Sequence, residues 1–183
     1  MSARPKRLAS PRHEIAADPL AFYEYSLESG IGDGLPVFAP TEDRVRALLD
    51  GTPLAADDVL GVLAPAVVEL TVEKAAVNAA MAGVEPAAFG HVIAALEAIL
   101  APEFNWSALA ATTSSVTPML VVNGPRRRAL GFDMEGGCMG GAGGRGSMTV
   151  GRAVELVLRN VGGQLVPTTS KSVFGQPARA AGL

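Results

Sequence analysis

Thr71-Val-Glu-Lys-Ala-Ala-Val-Asn-Ala-Ala-Met-Ala-Gly83 opens on a threonine able to cap a helix and closes on a glycine able to end one. Between them Val72, Ala75, Ala76, Ala79 and Ala80 fall on one helical stripe. Alanine buries little area, so this helix needs a close neighbour. The next segment, about Pro86 to Leu100, reads as a second helix, and Gly90, Ala94 and Ala98 recur along it at every fourth residue. Small residues at that spacing let backbones approach, which predicts a tight helical hairpin over 71–101.

Outward from the hairpin, Asp18-Pro19 is an N-cap followed by a proline at the first helical position. It starts a helix with Leu20, Phe22, Tyr23 and Leu27 that stops near Gly30. Residues 30–40 hold three glycines and two prolines, a shaped loop with an extended piece at Leu35–Phe38. Thr41 then caps a short helix ending at Gly51, and Ala66-Val-Val-Glu-Leu70 is a candidate strand. Pro118-Met-Leu-Val-Val-Asn-Gly-Pro125 reads as the clearest buried strand, delivering Asn123 and Gly124 to a loop. A last helix runs from about Met148 to Asn160. The expected architecture is α/β: a single compact domain over 18–183 with a helical hairpin, a small buried sheet and a glycine-rich loop opening a C-terminal helix. Residues 1–17 are expected to be a flexible basic arm, since Arg4, Lys6, Arg7 and Arg12 come with prolines and little apolar area.

Composition narrows the function. Charged residues are only 18% of the 183 and the net charge is −3, which argues for surface buried in a homo-oligomer, or against a second subunit, and against nucleic acid. No apolar run reaches the ~20 residues that span a bilayer, so no membrane role is expected. A single cysteine and a charged start without a signal peptide's apolar core place the chain in the cytoplasm.

The chemistry points to Gly136-Gly-Cys-Met-Gly-Gly-Ala-Gly-Gly-Arg-Gly146, seven glycines in eleven residues, followed by Ser147 or Thr149 as a helix cap. Such a loop costs backbone entropy, and its physical use is to aim amides at an anion on a helix N-terminus. Gly143, Gly144, Arg145, Ser147 and Arg152 are therefore candidates for holding a small anionic substrate, with Asn123 in support. Residues 141–146 also match G-x-G-x-x-G, but no strand directly precedes them and position 166 is valine rather than an acid, so no cofactor is specified. Cys138 beside a helix start and arginines reads either as a nucleophilic or redox thiolate or as an inert packed thiol. Glu73 and Asp133 are the proton-shuttle candidates, and His91 reads as a core or interface residue. Cys138 with Met134, Met139 and Met148 makes a poor metal set, and none is assigned.

Gly32-Asp-Gly-Leu-Pro-Val37 with Pro40-Thr-Glu-Asp-Arg-Val45, the Thr71–Gly83 segment, Val122-Asn-Gly-Pro125 and Thr149-Val-Gly-Arg-Ala153 resemble the motifs of a largely uncharacterised bacterial family, across roughly residues 20–178. The chain departs from that pattern at Val84, where a cysteine is usual, and in the glycine density and Cys138 of its loop. Some members are encoded near reductase-like selenoproteins. The resemblance implies a subunit of a redox or elimination enzyme, with Asp33, Glu73, Asn78, Asn123, Gly124, Arg145 and Arg152 in or beside the shared motifs. Three functional readings follow: an enzyme or enzyme subunit with thiol-assisted redox, elimination or lyase-type chemistry on a small anion; a non-catalytic structural or partner-binding subunit; and a small-ligand sensor or carrier.

Overall fold

The helix read from Thr71 forms as expected. In the computed structural model, which describes residues 8–133, 136, 144–175 and 179, helix α3 spans Val72–Ala82. The Thr71 hydroxyl accepts from the Lys74 amide, and Gly83 closes the helix at φ +82, a conformation that favours glycine. The other capped helices form too: α1 over Pro19–Glu28, with the Asp18 carboxylate accepting from the Leu20 and Ala21 amides, and α2 over Glu42–Asp50 behind Thr41.

The sheet is a two-stranded antiparallel ribbon, β1 Val59–Leu63 and β2 Val68–Thr71, with a register irregularity between Val59 and Gly61. Leu63 and Leu70 point inward and are fully buried, whereas Val59 and Val62 face out. Helix α4 spans Phe89–Leu100 behind a single 3-10 turn at Pro86–Ala88, and α5 is the short Trp106–Ala111. Helix α6, Arg145–Asn160, starts three residues earlier than its sequence pattern suggested. The outcome is a mixed α/β fold with one hydrophobic cluster running from Phe22 to Leu158.

Helix α3 packs most extensively against α6 rather than against α4. Gly90, Ala94 and Ala98 lie exposed on α4, which instead buries Phe89, Val92, Ile93, Leu96 and Ile99. Helices α3 and α4 do touch, but the close partner of α3 is α6, which offers Val150, Val154 and Val157, large enough to fill the space beside an alanine face. Each fully buried valine stabilises the fold by roughly 1.5–3 kcal/mol.

Two expected extended pieces do not become strands. Leu35–Phe38 has one backbone hydrogen bond, Phe38 N–H to the Met81 carbonyl. Residues 118–123 have no partner strand among the described residues, although their burial alternates. No single helix among the described residues is long and apolar enough to cross a membrane, and only a pair bent by 68°, Pro86–Leu100 with Pro102–Ala111, passes on length and composition.

Candidate functional site

Gly30–Phe38, the end of α3, residues 130–133 and the start of α6 meet along α6, where Asp133, Gly144, Arg145, Ser147 and Arg152 of the sequence-predicted residues lie. The Arg152 guanidinium on α6 forms a bidentate pair with Asp33, Nε to Oδ2 at 2.8 Å and Nη2 to Oδ1 at 2.9 Å. Its Nη2 also donates to the Leu35 and Pro36 carbonyls at 3.2 and 3.0 Å. Partial burial pushes the Asp33 carboxyl up, but the Arg152 and Leu35 hydrogen bonds and the Arg152 charge outweigh it and hold Asp33 below its ordinary value. Nε and Nη2 of Arg152 therefore fasten the 33–36 loop to α6 rather than facing a substrate. Arg159 and Asn160 continue the seam, donating to the Gly30 and Ile31 carbonyls.

Arg145 is similarly committed. Its Nε and Nη2 donate to the Gly83 carbonyl at 3.0 and 2.9 Å, and its Nη1 pairs with Glu85 at 2.8 Å, so it caps the C-terminal end of α3. The amides expected to receive an anion meet a carbonyl instead: Gly146 and Ser147 N–H donate to the Gly131 oxygen at 3.0 and 3.4 Å. Neither Ser147 nor Thr149 is the N-cap, which is Gly144 with no side-chain cap. The Ser147 hydroxyl accepts from the Asp133 amide at 2.9 Å, and Thr149 donates to the Arg145 carbonyl. In place of the anion cradle read from sequence, the described start of α6 is a joint that glycine makes possible. A Cβ on Gly146 would run into the Leu130 carbonyl oxygen.

Asp133, Gly144, Arg145 and Ser147 are thus brought together. Cys138 and Gly143 lie outside the described residues. Asn123 is exposed, and the Gly124 carbonyl accepts from the Arg127 side chain at 2.9 Å.

Glu73 stands apart. It begins α3, ten residues from Gly83, or about 15 Å along the axis at ~1.5 Å per residue. Both its oxygens accept from the Ala9 amide at 3.0 and 2.8 Å, and Oε1 also accepts from Ser10 N–H at 2.7 Å. Burial pushes this carboxyl up, but the Ser10 hydroxyl and the two amides more than offset it, leaving Glu73 below its ordinary value. A charged, amide-saturated carboxylate anchors a chain well and shuttles protons poorly. It also bears on the expected arm: residues 8–16 are fastened to the body by Glu73, by the Arg12–Glu42 ion pair and by Leu8 and Ile15 against the core, while residues 1–7 lie outside the described residues. Asn78 is buried in mid-α3, donating to the Lys74 carbonyl and accepting from Asn160 at 2.8 Å.

The residue with the most displaced acidity was not singled out in the sequence. Glu155 lies on the buried face of α6, takes the Thr117 hydroxyl at 2.5 Å, and is pushed up to about 7 by burial, against the pull of Thr117 and the Arg179 charge. Arg179 reaches the Val116 carbonyl and the buried Ser170 hydroxyl. The available signal was a glutamate set between Val154 and Leu156 on an apolar stripe. The buried His91 Nδ1 has no hydrogen-bond partner among the described residues, and the ring lies 5.4 Å from that of Phe132, centroid to centroid.

Among the described residues no group of three or more His, Cys, Asp or Glu is placed to hold a metal ion. A shallow cleft of about 230 Å³ lies elsewhere, between Val62, Ile99, Leu100, Pro102 and Trp106, and contains none of the predicted site residues. Comparison with protein-family models, curated proteins and solved structures found no match to this chain.

Proposed function

We propose that this chain is a non-catalytic, partner-binding subunit of a larger cytoplasmic assembly. The observation that carries this reading is the set of large apolar side chains left exposed on two irregular segments, 113–123 and 172–174, which touch at one end. Val173 donates its amide to the Thr113 carbonyl, and Ser115 bonds Ser172, so the tail runs beside residues 113–116. Phe174 is 95% exposed, Val121 and Val173 72%, and Met119 58%. Single apolar residues on a surface are ordinary, but side chains this exposed on segments outside any helix or strand suit an interaction site. Light scattering on the intact chain, with an apolar fluorescent dye as probe, tests this. The reading expects a mass above 18.7 kDa, or dye bound at the patch; a monomer that binds no dye contradicts it.

A second reading, an enzyme or ligand sensor handling a small anionic molecule with Cys138 as its thiol, is favoured by one feature. Asp133 and Gly144, on either side of the glycine-rich loop, are held at the first turn of α6 through the Ser147 hydroxyl and the Gly131 carbonyl. That pins the ends of a loop carrying the chain's one cysteine. The resemblance to a family near reductase-like selenoproteins fits a subunit of this kind. Rapid reaction of Cys138 with a thiol reagent near neutral pH would favour it, and an inert thiol would count against it.

A further inference from the structure

We infer that residues 118–123 are the docking strand of this subunit and that the outer edge of β1 from a second copy of the chain pairs with it. The inference rests on the partner-binding reading and names the partner. Burial along the segment alternates with the period of a strand: Met119 and Val121 face out, while Leu120 and Val122 pack on the core. No backbone amide or carbonyl of 118–123 is hydrogen-bonded to a described residue. A segment patterned as a strand and lacking a ladder is a template for another strand.

Charge selects the occupant. Arg126 and Arg128 are exposed just beyond the C-terminal end of the segment and have no ion pair among the described residues. Within the chain, β1 is the strand preceded by acids, in Asp57-Asp58-Val59-Leu60-Gly61-Val62-Leu63. Its outer edge pairs with no strand among the described residues, and Val59 and Val62 are 51% and 53% exposed. Antiparallel docking sets the start of β1 against the end of 118–123 and brings the exposed Asp57 to the arginines. Asp58 already accepts from the Ala55 amide, so Asp57 carries the attraction. Pairing 118–123 with its own copy would leave the arginines unmatched.

Sedimentation of the full chain at tens of micromolar, with thermal melts to confirm folding, tests the proposal. The expected wild-type mass is at least two chains. Val121→Pro, which removes one ladder donor at an exposed position, and the pair Arg126→Glu with Arg128→Glu should each weaken association at least tenfold. Asp57→Arg added to the arginine reversals should restore it. Association that ignores these charge changes, or a swap that fails to restore it, overturns the β1 pairing and leaves the partner-binding reading in place. A wild-type monomer whose dye binding is lost in Val121→Pro overturns the second copy as occupant but keeps that reading, and a monomer that binds no dye removes both.

Discussion

The Gly131 carbonyl oxygen lies 3.0 Å from the Gly146 amide nitrogen and takes the place that an anion would occupy at the start of α6. The glycines there serve close backbone packing: segment 130–133 can approach the helix only because position 146 has no side chain.

This reverses the usual sign of a helix substitution. Ala for Gly in a helix interior ordinarily stabilises by up to ~1 kcal/mol, and Gly90→Ala on α4, with nothing within 4 Å of its Cβ, should do so. Gly146→Ala should instead cost about 1–3 kcal/mol through overpacking against the Leu130 carbonyl. Urea unfolding of the two variants measures the contrast, and equal shifts would refute the joint.

Arg152 and Asp33, with side chains only 16% and 15% exposed, hold the loop to α6 as a unit. Removing either leaves the other half-buried without its charge partner, so Arg152→Ala and Asp33→Ala should each cost about 1–3 kcal/mol, with the double variant costing less than their sum. Arg152→Lys should not restore stability, because an ammonium cannot reproduce the two-pronged geometry. Denaturant midpoints across the double-mutant cycle decide this. Additive losses would show that the pair does not act together.

Glu155 makes stability fall towards alkaline pH. Its folded-state value, about 7, lies above the ordinary 4.5, so the folded protein binds this proton more tightly than the unfolded chain. The contribution is fully present below about 4.5 and is lost as pH rises through about 7. Glu155→Gln should remove that slope and be the more stable protein at pH 8, by up to about 3 kcal/mol, with the advantage shrinking towards pH 4. Chemical denaturation across that range reads it directly, and parallel pH profiles would refute the displaced acidity.

Local signals in the sequence placed α1, α2 and α3, because a cap is written within a few residues: Asp18 before Pro19, Thr41 before Glu42, Thr71 and Gly83 around α3. Helix α6 was legible from its apolar stripe alone, and its start was set three residues late. Helix partners were less legible. The period of Gly90, Ala94 and Ala98 identifies a helix face without saying whether protein or water lies on it, and here it is water. The apolar run at 118–123 was read as a fully buried strand, but every second residue faces out, and whether a strand lies beside it depends on residues far along the chain. The candidate site suffered most from the same limit. Arg145 and Arg152 were legible as cations, yet their acceptors Gly83, Glu85 and Asp33 are distant in sequence, the last by 119 positions. Glu155 was hidden by its neighbours, since a single acid on an apolar stripe looks like a boundary residue until Thr117 is seen beside it.

The most direct measurement of assembly through an unpaired strand is hydrogen exchange at Met119–Asn123 as a function of protein concentration. Without a partner those amides have no acceptor among the described residues, so they should exchange within seconds in dilute protein and become protected as concentration rises, together with Val59–Leu63. Exchange at 119–123 that stays fast and independent of concentration, while the protein is shown to associate, would contradict the account.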